Sequence, residues 1–157
     1  MSAVAAQLKS VVYMEPTLDW KEKIAHLVHE FAKAPQTECP LKHHFAPGVY
    51  IREIFMPAGS IVIGKIHKTE HFNIIQRGCV SLIGADGERE VLRGPITFVS
   101  KAGVQKVLYI HEDTVWSTVH ITDERDLETL EAQLIEPADY PLLDRTVERL
   151  AIAEAAK

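Results

Sequence analysis

The chain from Val49 to Ile121 is a series of short apolar segments separated by glycine and proline. This pattern predicts β-strands, because strands are short and because glycine and proline mark the turns between them. No helical pattern separates the segments, so we expect neighbouring strands to pair antiparallel. Strands of this kind bury their apolar face inside a sandwich or a barrel. The predicted strands are 49–56, 61–67, 71–76, 79–83, 88–92, 96–99, 104–110 and 115–121.

Helical spacing replaces the strand pattern on both sides of this series. Asp19 and Glu22 form a capping-box start, and the apolar residues that follow predict a helix over 19–34. Leucines at the same spacing predict two further helices, over 124–135 and 141–155. Helices of this kind need an apolar surface to cover, and that surface belongs either to the barrel or to a partner subunit.

The composition limits the classes of protein to which the chain can belong. Its 157 residues, 46% of them hydrophobic and 25% charged, are typical of one globular domain. We expect an N-terminal segment over 1–44, a barrel over 45–121 and C-terminal helices over 122–157. The net charge of -5, with no basic run, argues against a nucleic-acid partner. No apolar run is long enough to span a bilayer, and two cysteines without a disulfide framework favour the cytoplasm.

The segment between Gly59 and Gly78 carries the side chains best suited to bind a ligand or to react with one. It reads Gly-Ser-Ile-Val-Ile-Gly-Lys-Ile-His-Lys-Thr-Glu-His-Phe-Asn-Ile-Ile-Gln-Arg-Gly. Strand alternation predicts two strands joined by the polar turn 68–70. Antiparallel pairing across so short a turn places His67 close to His71.

This segment resembles the first motif of the cupins. In that motif a glycine is followed, after five residues, by His-x-His, then by a glutamate and a closing glycine. Gly59, His67 and Gly78 match in identity and spacing, whereas Lys65 stands at the first histidine position and His71 at the glutamate position. The usual ligand set of three histidines and one glutamate therefore does not carry over to this chain.

The stretch from Gly94 to Ile110 resembles the second cupin motif. Gly103 fits that motif, and Lys106 stands where the motif has a histidine. The resemblance extends over residues 45–121 and implies a mainly β protein, a cupin double-stranded β-helix (jelly roll) with flanking N- and C-terminal helices. It also implies a homo-oligomer, because cupins commonly assemble through their flanking surfaces.

The alignment with the two cupin motifs implies a basic cavity. In that alignment two lysines and two histidines converge, and this group suits a small anionic ligand such as a carboxylate, a phosphate or a nucleotide. Neighbouring positions add hydrogen-bonding groups and an apolar wall. The favoured function is therefore small-molecule binding without catalysis. The predicted ligand-binding residues are Lys65, His67, His71, Asn73, Lys106, Trp116, Thr118 and His120.

A bound divalent metal is the first alternative. His67 and His71 are competent ligands for Zn, Mn, Fe or Ni, and the third ligand stays open among Glu70, His111 and His120. The two lysines oppose this alternative, because an ammonium group repels a dication. A metal site of this kind would fit a small-molecule oxygenase or isomerase.

A metal-free enzyme is the second alternative. Some cupins that act on sugar nucleotides, as epimerases or isomerases, use a histidine as general base and a basic residue against the sugar or phosphate. By that resemblance His67 would be the base and Lys106 its electrostatic partner.

A further resemblance concerns the possible source of the chain. The stretch Leu-Tyr-Ile-His-Glu-Asp-Thr-Val-Trp-Ser-Thr-Val-His, residues 108–120, together with residues 64–71, resembles uncharacterised cupin-like proteins that are common in tailed bacteriophages. This resemblance implies a location in the cytoplasm of an infected bacterium or in the virion.

Overall fold

The computed structural model describes residues 19–137. It confirms the predicted helices at both ends of the β-region, and the helix predicted over 141–155 lies outside the described residues. None of the helices in this part of the chain is long and apolar enough to cross a membrane. The elements are helix α1 (Trp20–Phe31), strands β1 (Leu41–Ala46), β2 (Val49–Met56), β3 (Ile61–Ile63), β4 (His71–Ile83), β5 (Arg89–Arg93), β6 (Ile96–Ser100) and β7 (Val107–Ile121), and helix α2 (Leu127–Leu134).

The strands form an antiparallel sheet in the order β1-β2-β7-β4-β5, in which β3 also pairs with β7 and β6 with β4. The two long strands, β4 and β7, take part in both layers. Residues 114–121 of β7 pair with β2, whereas residues 107–109 pair with β3. Likewise, residues 71–75 of β4 pair with β6, and residues 79–83 pair with β5. This pairing is that of a jelly roll, as the sequence predicted.

The bend between the layers lies where β4 and β7 lose regular register, around Gly78. Gly78 has φ +109, and a Cβ atom there would lie 2.2 Å from Thr114 Oγ1. A side chain at this position is therefore excluded by both backbone conformation and space. The sequence placed Gly78 in a turn between two strands. It is instead a bulge within one continuous strand, and the predicted break in β7 is likewise absent.

Two other segments differ from the predictions. Residues 41–46, which precede the first predicted strand, form the edge strand β1. The strand predicted over 61–67 ends at Ile63. The chain beyond it keeps two backbone hydrogen bonds to residues 103–106, from Gly64 N to Lys106 O and from Gly103 N to His67 O, and makes two more with the C-terminal end of α2 and the residues after it. Lys68 N donates to Leu134 O at 2.8 Å, and Glu136 N donates to Ile66 O at 2.9 Å. We call residues 131–136 the strap.

Two apolar clusters hold the layers together. One fills the barrel interior, with Met56, Ile75 and Ile110 almost fully buried. In the other, α1 covers the outer face of the second layer, packing Ile24, Leu27 and Val28 against Ile63, Ile83 and Val107. The predicted start of α1 is confirmed, since the Asp19 side chain accepts hydrogen bonds from the backbone amides of residues 21 and 22. The first layer, formed by β1, β2, the second half of β7, the start of β4 and β6, carries the candidate site.

Candidate functional site

Strand register brings distant histidines and their neighbours to one end of the barrel. On β7, Thr118 is paired with Arg52 of β2 on one side and with Asn73 of β4 on the other. His120 is paired with Tyr50, and the pairing of residue 72 with residue 119 places His71 next to it on β4. Because alternate residues of a strand share a face, these side chains point to the same side of the layer.

Three imidazole rings meet at this end, and we call His67, His71 and His120 the imidazole cluster. The ring centroids of His67 and His71 are 4.1 Å apart, which confirms the proximity predicted from sequence. His120 lies 5.4 Å from His67 and 5.1 Å from His71. Solvent reaches 8% of His71 and 4% of His120, whereas His67, on the loop after β3, is partly exposed.

The hydrogen bonds of the cluster assign roles to its ring nitrogens. His71 Nδ1 lies 3.0 Å from the carbonyl oxygen of Thr69, so it donates there. His120 Nε2 lies 3.0 Å from Thr118 Oγ1. His120 Nδ1 is buried and, within residues 19–137, has no hydrogen-bond partner. A buried polar atom left in this state costs about 1–3 kcal/mol, so a ligand that meets it gains that energy.

Two of the three imidazoles are neutral at physiological pH. Burial, followed by the neighbouring His71, His120, Arg52 and Lys65, lowers the pKa of His67 to about 3. Burial, followed by His71 and Arg52, lowers the pKa of His120 to about 4. Apart from burial, every cause acts as a positive charge or as a ring that would become one. The cluster therefore resists taking up protons while no anion is bound, chiefly because it is buried and in part because Arg52 and Lys65 lie near it.

Arg52 belongs to the site, although the sequence analysis did not single it out. Its positive charge contributes to the lowered pKa of both His67 and His120. A signal was present in the sequence, since Arg52 alternates with Tyr50 and Ile54 on a strand whose same-face neighbours are apolar or aromatic. A cation in an inward position of a half-buried strand is uncommon and points to a partner or a ligand.

Of the two lysines expected in the cavity, one lies beside the cluster. Lys65 contributes to the lowered pKa of His67, and its Nζ donates to Glu131 Oε1 of the strap. Lys106 does not join this group. It precedes the first residue of β7, at the opposite end of that strand from His120, and its Nζ lies 3.9 Å from Glu90 Oε2. Its backbone lies beside the segment that carries Lys65 and His67, since Gly64 N donates to Lys106 O at 2.9 Å, but its ammonium group points toward Glu90.

Asn73, Trp116 and Thr118 lie on the same inner face as the imidazole cluster. Trp116 Nε1 donates to Asn73 Oδ1 at 3.0 Å, and Asn73 Nδ2 donates to Ser100 Oγ at 2.9 Å. The indole also packs edge-on against Phe98, with centroids 5.7 Å apart. Several side chains on this inner face keep partial exposure, so solvent reaches the interior at this end. They are Arg52, Ile54, Ile96, Phe98, Trp116 and Thr118.

Tyr50 extends the cluster toward the edge of the layer. Its ring stacks on His120 with centroids 5.9 Å apart and on His43 at the same separation. His43 Nδ1 lies 2.7 Å from the Tyr50 hydroxyl. His44 points to the other face, where its Nε2 lies 3.3 Å from Glu53 Oε2. His43 and His44 therefore point to opposite faces of β1.

The imidazole cluster does not match the donor arrangement of a metal site. Of the candidates for a third ligand, Glu70 is exposed and His111 bonds Ser81 Oγ at 2.6 Å on the opposite face of β7, which leaves His120. The rings of His67 and His120 are stacked at an interplanar angle of 15°. In the described part of the chain, no three His, Cys, Asp or Glu side chains are placed to hold a metal ion. The adjacent cations oppose one further.

The chain was compared with known proteins. No protein-family model and no curated protein sequence matches it. Among solved structures it is similar to a cupin domain from Schizosaccharomyces pombe, with 17% identity and a TM-score of 0.46 over 63% of this chain and 72% of that one. It is similar to an RmlC-like cupin family protein from Methanocaldococcus jannaschii, with 16% identity and a TM-score of 0.45 over 57% and 84%. It is also similar to a cupin domain from Bordetella pertussis, with 15% identity and a TM-score of 0.45 over 55% and 96%.

These three structures are described as cupins, the family that residues 59–78 resemble. Similarity at this level transfers neither a family nor an activity. The jelly-roll fold of this chain rests on its own strand pairing.

Proposed function

We propose that this protein binds a small anionic molecule at the open end of its barrel, between the imidazole cluster and Arg52. The observation that carries the proposal is the convergence of three imidazoles with the positive charge of Arg52. An anion at this place would be attracted by the guanidinium and would accept hydrogen bonds from ring N–H groups.

The electrostatics favour an anion over other ligands. A cation would be repelled by the charges that already lower the pKa of His67 and His120. A bound anion would be attracted by the same charges and would give a hydrogen-bond partner to Nδ1 of His120, which has none within residues 19–137.

The proposed role is binding without catalysis. Proton transfer needs an acid and a base with pKa values near the working pH, and the pKa values of His67 and His120 lie well below it. The Tyr50 hydroxyl, whose ring stacks on His120, is hydrogen-bonded to His43. Lys106, expected as an electrostatic partner for a reaction at His67, has its Nζ 3.9 Å from Glu90 Oε2 instead.

Calorimetric titration with benzoate and with inorganic phosphate tests this proposal. We expect at least one of them to bind, and we expect Arg52→Gln to weaken that binding by about tenfold or more. Arg93→Gln is the matched control, because Arg93 pairs with Glu112 on the exposed surface. Absence of binding of both anions at millimolar concentration, or equal affinities of wild type and Arg52→Gln, would refute the proposal.

A further inference from the structure

Solvent reaches the inner face of the first layer between the imidazole cluster and the packed core. At the core end, Met56, Ile75 and Ile110 are 1% exposed or less. Trp116 is partly exposed, although it lies on a central strand, paired with Ile54 of β2 on one side and with Ile75 of β4 on the other. Because paired strands cover both of its sides and the side chain lies on the inner face, the solvent that reaches the indole lies in the interior of the barrel.

The side chains that border this solvent are largely apolar or aromatic. Phe98 packs edge-on against the indole of Trp116. Ile54 and Ile96 are, like these two rings, partly exposed and packed against the core. Water next to such a surface is displaced favourably by an apolar group, because the displacement reduces the apolar area in contact with water. This part of the barrel therefore favours a ligand with an apolar body.

The polar groups of this wall are already hydrogen-bonded to protein atoms. Trp116 Nε1 donates to Asn73 Oδ1, and Asn73 Nδ2 donates to Ser100 Oγ. Thr118 Oγ1 lies 3.0 Å from His120 Nε2. The hydroxyl groups of a sugar would lose their water here, and these bonds would have to break before the wall could compensate that loss. The wall therefore disfavours a ligand body that carries many hydroxyl groups.

We propose that the ligand is an anion whose body is an apolar ring, rather than a sugar or a sugar nucleotide. This inference rests on the proposed anion-binding function and adds the class of molecule that the site takes. The ring lies against Phe98 and Trp116, and the charged group is directed toward the imidazole cluster. Aromatic side chains contact such a ring in stacked or edge-on geometry. An apolar wall on one side and polar groups on the other give the ligand one orientation.

Three carboxylates with different bodies test this inference by calorimetry at about pH 7, where all three are ionised. Benzoate has an apolar ring, glucuronate has a ring of similar size that carries hydroxyl groups, and acetate has no ring. We expect benzoate to bind about tenfold or more tightly than acetate, because its ring removes apolar surface from water. We expect glucuronate to bind no more tightly than acetate, because its hydroxyl groups would be desolvated without new partners.

Substitution of Phe98 tests where the ring lies. Phe98→Ala removes one of the two aromatic rings of the wall, so we expect it to weaken benzoate binding by about tenfold and to leave acetate binding unchanged. Val99→Ala is the matched control, because Val99 is the next residue on β6, is 47% exposed and lies on the outer face. Should Phe98→Ala fail to fold, Phe98→Leu keeps an apolar side chain there, and its smaller loss should again be restricted to benzoate.

The outcomes separate this inference from the proposed function. Equal affinities for benzoate and acetate, glucuronate that binds as tightly as benzoate, or equal losses of benzoate and acetate in Phe98→Ala would overturn the inference and leave the anion site standing. Benzamide is the neutral molecule with the same ring. If it bound as tightly as benzoate, the ring would be recognised without the charge, and the anion-binding function would fall. If none of the four probes bound wild type, both proposals would fall together.

Discussion

Binding of an anion at the imidazole cluster should become tighter as the pH falls. The pKa of His120 is about 4 and that of His67 about 3 without an anion, so both rings are neutral near pH 7. An anion next to either ring favours its protonated form and raises its pKa. The complex then holds more protons than the empty protein, and by linkage acid strengthens binding.

The size of the effect follows from the attraction between the two charges. At about 4 Å and an effective dielectric constant of about 20, an anion and an imidazolium attract by about 4 kcal/mol, or about three pKa units. In the complex this raises the pKa of His120 from about 4 to about 7. Binding should therefore tighten by about tenfold between pH 8 and pH 6, and stop tightening below about pH 4, where the empty protein also becomes protonated.

The assay is calorimetric titration with benzoate at about pH 8, 7 and 6, where the ligand stays ionised. Repetition in buffers of different ionisation enthalpy counts the protons taken up. His120→Asn should flatten the pH dependence, whereas His29→Asn, on the exposed face of α1, should not. Affinity that is independent of pH, or that weakens as the pH falls, would refute the reasoning. Weakening in acid is the behaviour expected of metal ligation, because protons compete for the ligands.

Four further predictions concern stability, metal content and assembly. Without ligand, the melting temperature should fall as the pH drops from about 6.5 toward 4. In this range His67 and His120 become protonated in the unfolded chain, whereas they stay neutral in the folded protein. Added benzoate should offset this fall. Gly78→Ala should lower the free energy of unfolding in urea by about 3 kcal/mol, whereas Gly87→Ala, at φ +76 with open space around it, should cost only about 1 kcal/mol. Elemental analysis of untagged protein should give less than one zinc, manganese, iron or nickel per chain. His71→Glu, which supplies the carboxylate of the first cupin motif, should raise that content. A full equivalent of metal in wild type would favour a metal site at His67 and His71 over an anion site. Light scattering should give a dimer or a larger assembly at micromolar concentration, and a mass near the 17.6 kDa of one chain would contradict this.

Local sequence signals determined the elements of this protein. Apolar alternation between glycines and prolines predicted the antiparallel strands, and the Asp19 cap with its apolar spacing predicted α1. His67 and His71 are four residues apart, so their proximity needed only a reversal of the chain between them. These features depend on contacts between near neighbours, which is why periodicity and turn residues are sufficient to predict them.

Only the tertiary structure decided which side chains share the site and what charge they carry. Arg52 reaches the histidines because β2 pairs with β7, and Lys65 forms an ion pair with Glu131 across a separation of 66 residues. Lys106 was expected with the histidines, but its ammonium group lies 3.9 Å from Glu90 Oε2, a contact that a motif alignment does not reveal. Register and coiling arise from packing between distant segments, and a one-residue change in either redirects every side chain on a strand. The charged groups of the site come from segments that are distant in sequence, so the charge of the site depends on how the strands pair.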